Sequence, residues 1–159
     1  RDRYKPITIE ATKLGLTIII ENGELYAKLN GIKIPAKRLS YGLMQLVPII
    51  LASEPFNFIM LDEPTLNLHA DMQVKLADYL YDLVERGKRI FATTHSDIFA
   101  IQMAINHVKR GKDKGKTMKI YFLNEGKMEE IQYKENGDID AIPTIVDTLK
   151  KQSAEIYGS

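Results

Sequence analysis

The sequence of 159 residues predicts an α/β fold with a largely parallel core sheet flanked by helices. Two apolar runs, residues 58–61 and 89–94, are typical of strands, and leucines at helical spacing lie between them. A strand–helix–strand unit of this length places its two strands parallel. Short β-prone runs before and after this unit add N-terminal β-hairpins and a C-terminal β-hairpin plus helix.

The chain is predicted to form a single lobe with three parts. Residues 1–38 are a β-rich opening segment, residues 39–110 form the core, and residues 111–159 supply the last hairpin and helix. In the first part, Asn22-Gly23 separates two β-prone runs and is a strong signal for a tight hairpin turn. The opening segment is therefore expected to be an antiparallel meander beside the core.

A helix is predicted to begin after Ser40, which is a good N-cap, and to follow an apolar stretch to Ala52. Gly42 removes a side chain from the first turn, and the free N–H groups at such a helix end bind phosphate. An ordinary capped helix explains the same segment when it is taken alone. Pro48 predicts a kink or a short first section, because proline costs a helix interior about 3 kcal/mol.

Two adjacent carboxylates, Asp62 and Glu63, end the first apolar strand, and Pro64 follows them. A continuous apolar run suits a parallel strand that is covered on both faces. Ligand sites in such sheets open at the carboxyl ends of the strands, where this pair lies. The turn at Pro64 breaks the alternation of the strand, so both carboxylates can face one crevice.

His95 ends the second apolar strand. Because the two strands are predicted to be parallel, we expect His95 at the same edge of the sheet as Asp62 and Glu63. A lone histidine at a strand end is usually structural. One that shares an edge with two acids and a phosphate-binding turn is a candidate functional residue.

The last third of the chain carries ordinary structural signals. Ser96 is expected to cap a helix that extends to about residue 108. Residues 119–123 and 128–132 flank a turn and predict a hairpin. Pro143 suits the first turn of a final helix.

Composition narrows the classes of function. The formal net charge is +1 and the chain has no cysteine, so neither a general attraction to nucleic acid nor disulfide or cysteine-zinc chemistry is expected. A local basic cluster around residues 109–119 is more typical of a solvated loop than of a DNA contact, because no aromatic residue interleaves with it. No signal sequence or membrane segment is visible, and we expect a cytoplasmic protein.

Three motifs follow one another in the chain: residues 39–42 (LSYG), 58–65 (FIMLDEPT) and 93–96 (TTHS). In order and spacing they resemble the signature motif, the Walker B strand and the switch histidine of ABC-superfamily ATPases. The pattern is most similar to the C-terminal lobe of SMC-related and OLD-like ATPases. The resemblance implies a P-loop NTPase-like fold and the binding and hydrolysis of ATP with Mg²⁺.

The resemblance also implies residue roles. Glu63 would orient the attacking water, His95 would contact the γ-phosphate, and Asp62 would hold Mg²⁺ through water. The signature residues would reach the nucleotide on the opposite subunit of a head-to-tail homodimer; they are Leu39, Ser40, Tyr41 and Gly42. A D-loop would follow the Walker B strand; it comprises Leu66, Asn67, Leu68 and His69.

The Walker A phosphate loop, Gly-x-x-x-x-Gly-Lys-Ser/Thr, does not occur in the chain. Residues 111–117 come near the pattern but are one residue short, and they follow a helix and precede a strand, the reverse of what a phosphate loop needs. We therefore expect an N-terminal Walker A lobe, on the same or another chain, to complete the ATPase, and this lobe alone to be inactive. The coupled process is expected to be DNA repair, defence or a related mechanical task, with DNA binding left open.

Two alternatives stay open at the level of sequence. The first is the nucleotide-binding subunit of a transporter, which Tyr41 and Leu43 on either side of Gly42 disfavour, because transporters usually carry two glycines and a glutamine after the serine. The second is a non-catalytic, ATPase-like module that only docks on a partner.

Overall fold

The computed structural model describes residues 5–111 and 115–134. The chain divides into two compact units, Arg1–Met103 and Ala104–Ser159. The predicted final helix, which would start near Pro143, lies outside the described residues.

The first unit begins with a four-stranded antiparallel meander, in which each strand pairs with the next along the chain. Asn22 and Gly23 connect the second strand to the third with φ angles of 52° and 80°, the left-handed geometry of a tight hairpin turn. The predicted N-terminal hairpins are confirmed. The four strands are β1 (Ile7–Ala11), β2 (Leu16–Glu21), β3 (Glu24–Leu29) and β4 (Ile32–Pro35).

A second sheet pairs β5 (Phe58–Asp62) with β6 (Arg89–Thr93), and the two strands are parallel. Helix α2 (Ala70–Glu85) forms the crossover between them, so the predicted strand–helix–strand unit is confirmed. In the register of this pair Asp62 lies beside Thr93. Within the described residues the parallel sheet has two strands, so a largely parallel core sheet is not confirmed.

The two faces of the β5–β6 pair differ in burial. On the inner face Ile59 is 4% exposed and packs in the core. On the outer face Phe58, Met60 and Phe91 are 52%, 68% and 53% exposed. The expectation that these apolar strands are covered on both faces is therefore wrong for the described part of the chain: its residues cover one face.

Helix α1 (Tyr41–Ser53) packs with α2 in the core, where Leu46, Ile50 and Leu76 are fully buried. It passes through Pro48 without interruption, and the ring of Pro48 lies on the exposed side. Of the two predicted effects of Pro48, a short first section is therefore wrong, and a kink stays a prediction. At the carboxyl end of the helix, Ser53 is hydrogen-bonded to the hydroxyl of Tyr79 in α2 at 2.7 Å.

After β6 the chain forms α3 (Asp97–Asn106), which continues as a π-helical turn, His107–Gly111. In the second unit, β7 (Ile120–Asn124) and β8 (Lys127–Ile131) form the predicted antiparallel hairpin. No helix in residues 5–111 or 115–134 is both long and apolar enough to cross a membrane.

Candidate functional site

The carboxyl end of β5 is joined to that of β6 through Asp62 and Thr93. The hydroxyl of Thr93 donates a 2.5 Å hydrogen bond to Oδ1 of Asp62. This bond occupies one carboxylate oxygen and fixes the orientation of the group, while the Asp62 side chain stays exposed at the edge of the sheet. Asp62 is thus held in place and open to a ligand.

Glu63 leaves the strand with a φ angle of 46°, in the left-handed region. For a residue other than glycine this conformation costs about 1–2 kcal/mol. The neighbouring strand holds it there, because the N–H of Glu63 donates to the carbonyl of Thr93 at 3.1 Å and to its hydroxyl at 3.2 Å. Non-glycine residues held in such strained geometry cluster at functional sites.

The left-handed turn brings the Glu63 side chain to His95. The main-chain N–H of His95 donates a 3.1 Å hydrogen bond to Oε2 of Glu63. The imidazole Nε2 lies 3.4 Å from Oε1, and the side chains of His95 and Glu63 are 97% and 20% exposed. Asp62, Glu63 and His95 therefore lie at one edge of the parallel pair, as the strand order predicts.

A further set of polar contacts ties the loop after β5 to the loop after β6. The hydroxyls of Thr65 and Thr94 are 3.0 Å apart. Gln73 of α2 donates to the carbonyl of Leu68 at 2.8 Å and accepts a short hydrogen bond from the hydroxyl of Ser96. These contacts join the two loops at positions that follow Glu63, directly through Thr65 and through Gln73 of α2.

Ser40 is the N-cap of α1, and its Oγ accepts from the N–H of Leu43 at 3.5 Å. Ser40 and Tyr41 are exposed, the latter by 76%, whereas Leu39 is half-buried against the core. The first turn of α1 therefore presents its cap and one aromatic ring to solvent.

Gly42 lies against the loop that follows β5. A Cβ atom at this position would be 2.6 Å from the carbonyl oxygen of Asn67 and 3.2 Å from Cδ2 of Leu68. The absence of a side chain is thus required by the packing of this loop on α1, a reason that helix-capping patterns do not supply. The predicted signature helix and the predicted D-loop are in direct contact.

The predicted D-loop residues have different environments. Leu66 is 54% exposed, Leu68 is 9% exposed and joins the core, and Asn67 has a φ angle of 58°. His69 takes the N-cap position of α2, where its carbonyl accepts from two N–H groups of the first turn and its side chain makes no capping bond.

Mg²⁺ is commonly held by one or two carboxylates, several waters and substrate phosphates, rather than by a complete set of protein ligands. Asp62, with one oxygen engaged by Thr93, fits such a role. The described residues contain no group of three or more acidic, histidine or cysteine side chains that would hold a metal alone. Asp62 would hold the ion together with phosphate oxygens and water.

Sequence reasoning missed two glutamines. Gln45 of α1 donates a 3.1 Å hydrogen bond to the carbonyl of Glu63, and Gln73 joins the two loops as described above. The signal for Gln45 was present: it is a polar side chain in an otherwise apolar helix segment, residues 43–51. Its partner could not be identified, because the contact spans eighteen positions along the chain.

Comparison with known proteins identifies a family and a similar fold. The family model described as AAA ATPase domain matches residues 3–100. No curated protein sequence matches the chain. A solved structure from work on ATP-driven dimerisation and DNA-stimulated activation of SMC ATPases has a TM-score of 0.54 at 14% identity, with 90% of this chain and 86% of that one covered.

A second solved structure is the Smc head domain of Pyrococcus furiosus, with an extended coiled coil and bound to the C-terminal domain of ScpA. Its TM-score is 0.49 at 16% identity, with 89% of this chain and 35% of that one covered. The family match extends over more than half of this chain, and the first structural match shows the fold of an SMC ATPase head. The chain belongs to the AAA ATPase domain family, and its predicted resemblance to SMC ATPases is confirmed at the level of the fold.

Proposed function

We propose that this chain is the half of an ATPase head that supplies the metal-binding aspartate, the general base and the switch histidine for ATP hydrolysis. The observation that carries the proposal is the convergence of Asp62, Glu63 and His95 at one edge of a parallel strand pair, with Glu63 held in a left-handed turn. Membership of an ATPase family supports the same chemistry.

In this proposal Glu63 accepts a proton from the attacking water and orients it. Its carboxylate is anchored through Oε2 by the N–H of His95, so that Oε1 stays on the side of the exposed imidazole. Phosphoryl transfer depends mainly on such positioning and on neutralisation of charge. His95 offers a nitrogen to the transferred phosphoryl group, and Asp62 would hold Mg²⁺, which when bound neutralises phosphate charge.

A second lobe that carries the phosphate loop would complete the site. The outer face of β5 and β6 supports this part of the proposal, because three large apolar side chains are exposed side by side there: Phe58, Met60 and Phe91. Apolar patches of this kind mark surfaces that another body covers.

A head-to-tail dimer, in which the cap of α1 meets the nucleotide of the opposite subunit, would use the exposed Ser40 and the main chain at Gly42. The helix N-terminus there presents N–H groups and a positive dipole end, which suit a phosphate. A role in DNA repair or defence belongs to the same proposal and rests on the family resemblance.

The decisive experiment is Glu63→Gln in the complete ATPase, compared with Glu10→Gln, an exposed glutamate of β1. We expect Glu63→Gln to bind ATP with near-normal affinity and to lose turnover by a factor on the order of 100 or more. Glu10→Gln should behave like the unmodified protein. Turnover that survives Glu63→Gln would remove Glu63 from the role of base.

A further inference from the structure

Gln45 lies in the second turn of α1 and is half-buried. The residues that follow it, Leu46 and Val47, are buried and apolar, so an amide group here is unusual for its surroundings. A buried amide is costly unless it is hydrogen-bonded. Its Nε2 meets that condition by donating 3.1 Å to the carbonyl oxygen of Glu63.

The main chain of Glu63 is fixed from three directions. Its N–H donates to Thr93 on β6, and its carbonyl accepts from the N–H of Leu66 at 3.2 Å within its own loop. Gln45 adds a bond to the same carbonyl from α1. A strained conformation persists only where several surrounding contacts hold it in place. The hydrogen bond from Gln45 is the contact that α1 supplies.

A second contact joins the same helix to the same loop. Gly42, one turn before Gln45, packs against the carbonyl of Asn67 so closely that no Cβ atom fits. The first two turns of α1 therefore contact the loop after β5 at two points, by a hydrogen bond at Glu63 and by close packing at Asn67.

We propose that Gln45 is a positioning residue, which aligns the carboxylate of Glu63 by holding its carbonyl and links that alignment to the position of α1. The role rests on the proposed function of Glu63 as base. A movement of the α1 cap, where Ser40 would meet a nucleotide on a second subunit, would reach the main chain of Glu63 through the hydrogen bond of Gln45. Small displacements matter here, since misplacement by about 1 Å can cost 100-fold in rate.

The first test measures amide hydrogen exchange in the purified protein, before any activity is considered. Gln45→Met keeps the length of the side chain and removes its donors, and Gln45→Glu, measured at a pH where its carboxylate is ionised, serves as a second donor-free variant. The matched control is Gln102→Met, since Gln102 is a half-buried glutamine of α3 that donates 2.8 Å to Asp78. We expect exchange at the amides of Leu66 and His95 to accelerate on the order of fivefold in both Gln45 variants and to stay unchanged in the control.

Unchanged exchange at both amides in Gln45→Met and Gln45→Glu would overturn the proposal. This readout does not depend on ATP, so it separates a failure of the Gln45 contact from a failure of the proposed ATPase function.

The second test measures steady-state ATP hydrolysis by the complete ATPase. Gln45→Met should lower kcat about tenfold and leave KM for ATP within about twofold, because positioning acts on the transition state rather than on binding. Loss of turnover in Glu63→Gln together with normal kcat in Gln45→Met would overturn the positioning role alone. Normal turnover in Glu63→Gln would instead overturn the proposed function.

Discussion

The main-chain N–H of His95 donates to one carboxylate oxygen of Glu63, and the imidazole of the same residue lies 3.4 Å from the other oxygen. The first residue after β5 is thereby held by the second residue after the neighbouring strand β6. This contact uses the main chain of His95, so it does not require an imidazole. The side chain of His95 is left almost fully exposed and free to act on a ligand.

Because the main chain of His95 anchors Glu63 while its side chain is exposed, His95→Ala should affect stability and turnover differently. The variant should change the free energy of unfolding by less than about 0.5 kcal/mol, because the side chain is 97% exposed and the anchoring N–H remains. Turnover in the complete ATPase should fall on the order of tenfold or more, since a donor to the phosphoryl group is lost. Chemical denaturation and ATP hydrolysis measure the two effects, and a large loss of stability with normal turnover would contradict the proposal.

Gly42→Ala tests the contact between α1 and the following loop. In an open helical position this change would stabilise by about 1 kcal/mol, whereas overpacking at 2.6 Å from the Asn67 carbonyl should destabilise by about 1–3 kcal/mol. The sign of the change in unfolding free energy thus decides whether position 42 is open or is closely packed against the loop. Met44→Ala, on the exposed side of the same turn, is the control and should cost little.

The pair of Ser53 and Tyr79 predicts a pH dependence. Burial raises the pKa of the Tyr79 phenol above its usual value of 10.0, although the hydrogen bond with Ser53 lowers it in part. Because the folded state holds the proton more tightly, the stability from this group is complete below pH 10 and is lost as the pH rises towards the folded pKa.

Tyr79→Phe removes both the hydrogen bond and the titration. At neutral pH we expect it to destabilise by about 1 kcal/mol, since Ser53 keeps its bond to the carbonyl of Ile50 at 2.6 Å. The difference from the unmodified protein should shrink above pH 10, where only the latter loses stability through Tyr79. Urea titrations at neutral and alkaline pH measure this, and a constant difference would contradict it.

The apolar outer face of β5 and β6 predicts that Met60→Gln has different effects on the stability of the 159-residue chain and of the complete ATPase. In the 159-residue chain the change should alter stability by less than about 0.5 kcal/mol, because Met60 is 68% exposed. In the complete ATPase, a covering lobe would bury the same side chain, and the cost should rise to about 1–3 kcal/mol. Ile32→Gln, a comparably exposed residue of β4 at 65%, should be neutral in both; equal effects for Met60→Gln in both would argue against a covering lobe.

Local pattern predicted much of this fold. The turn at Asn22-Gly23 and the crossover between β5 and β6 both follow from short-range signals, and the structure contains both. Once the two strands are known to be parallel, the shared edge of Glu63 and His95 follows from topology alone.

The rest depends on contacts between distant parts of the chain. The left-handed turn at Glu63 is invisible in a sequence, because glutamate carries no preference for that conformation and is held there by Thr93 and Gln45. The exposure of Met60 also could not be predicted from an unbroken apolar run, since such a run does not tell which faces this chain covers by itself.

The meander of β1 to β4 and the parallel pair of β5 and β6 differ in how soon they can form. Adjacent hairpins close over a few residues, and such steps take about 1–10 μs. The parallel pair can form only after α2, which connects its two strands, has been added to the chain. Pairing between such distant segments is slow. On a ribosome, the meander can therefore be complete while the edge that joins Asp62 to Thr93 does not yet exist.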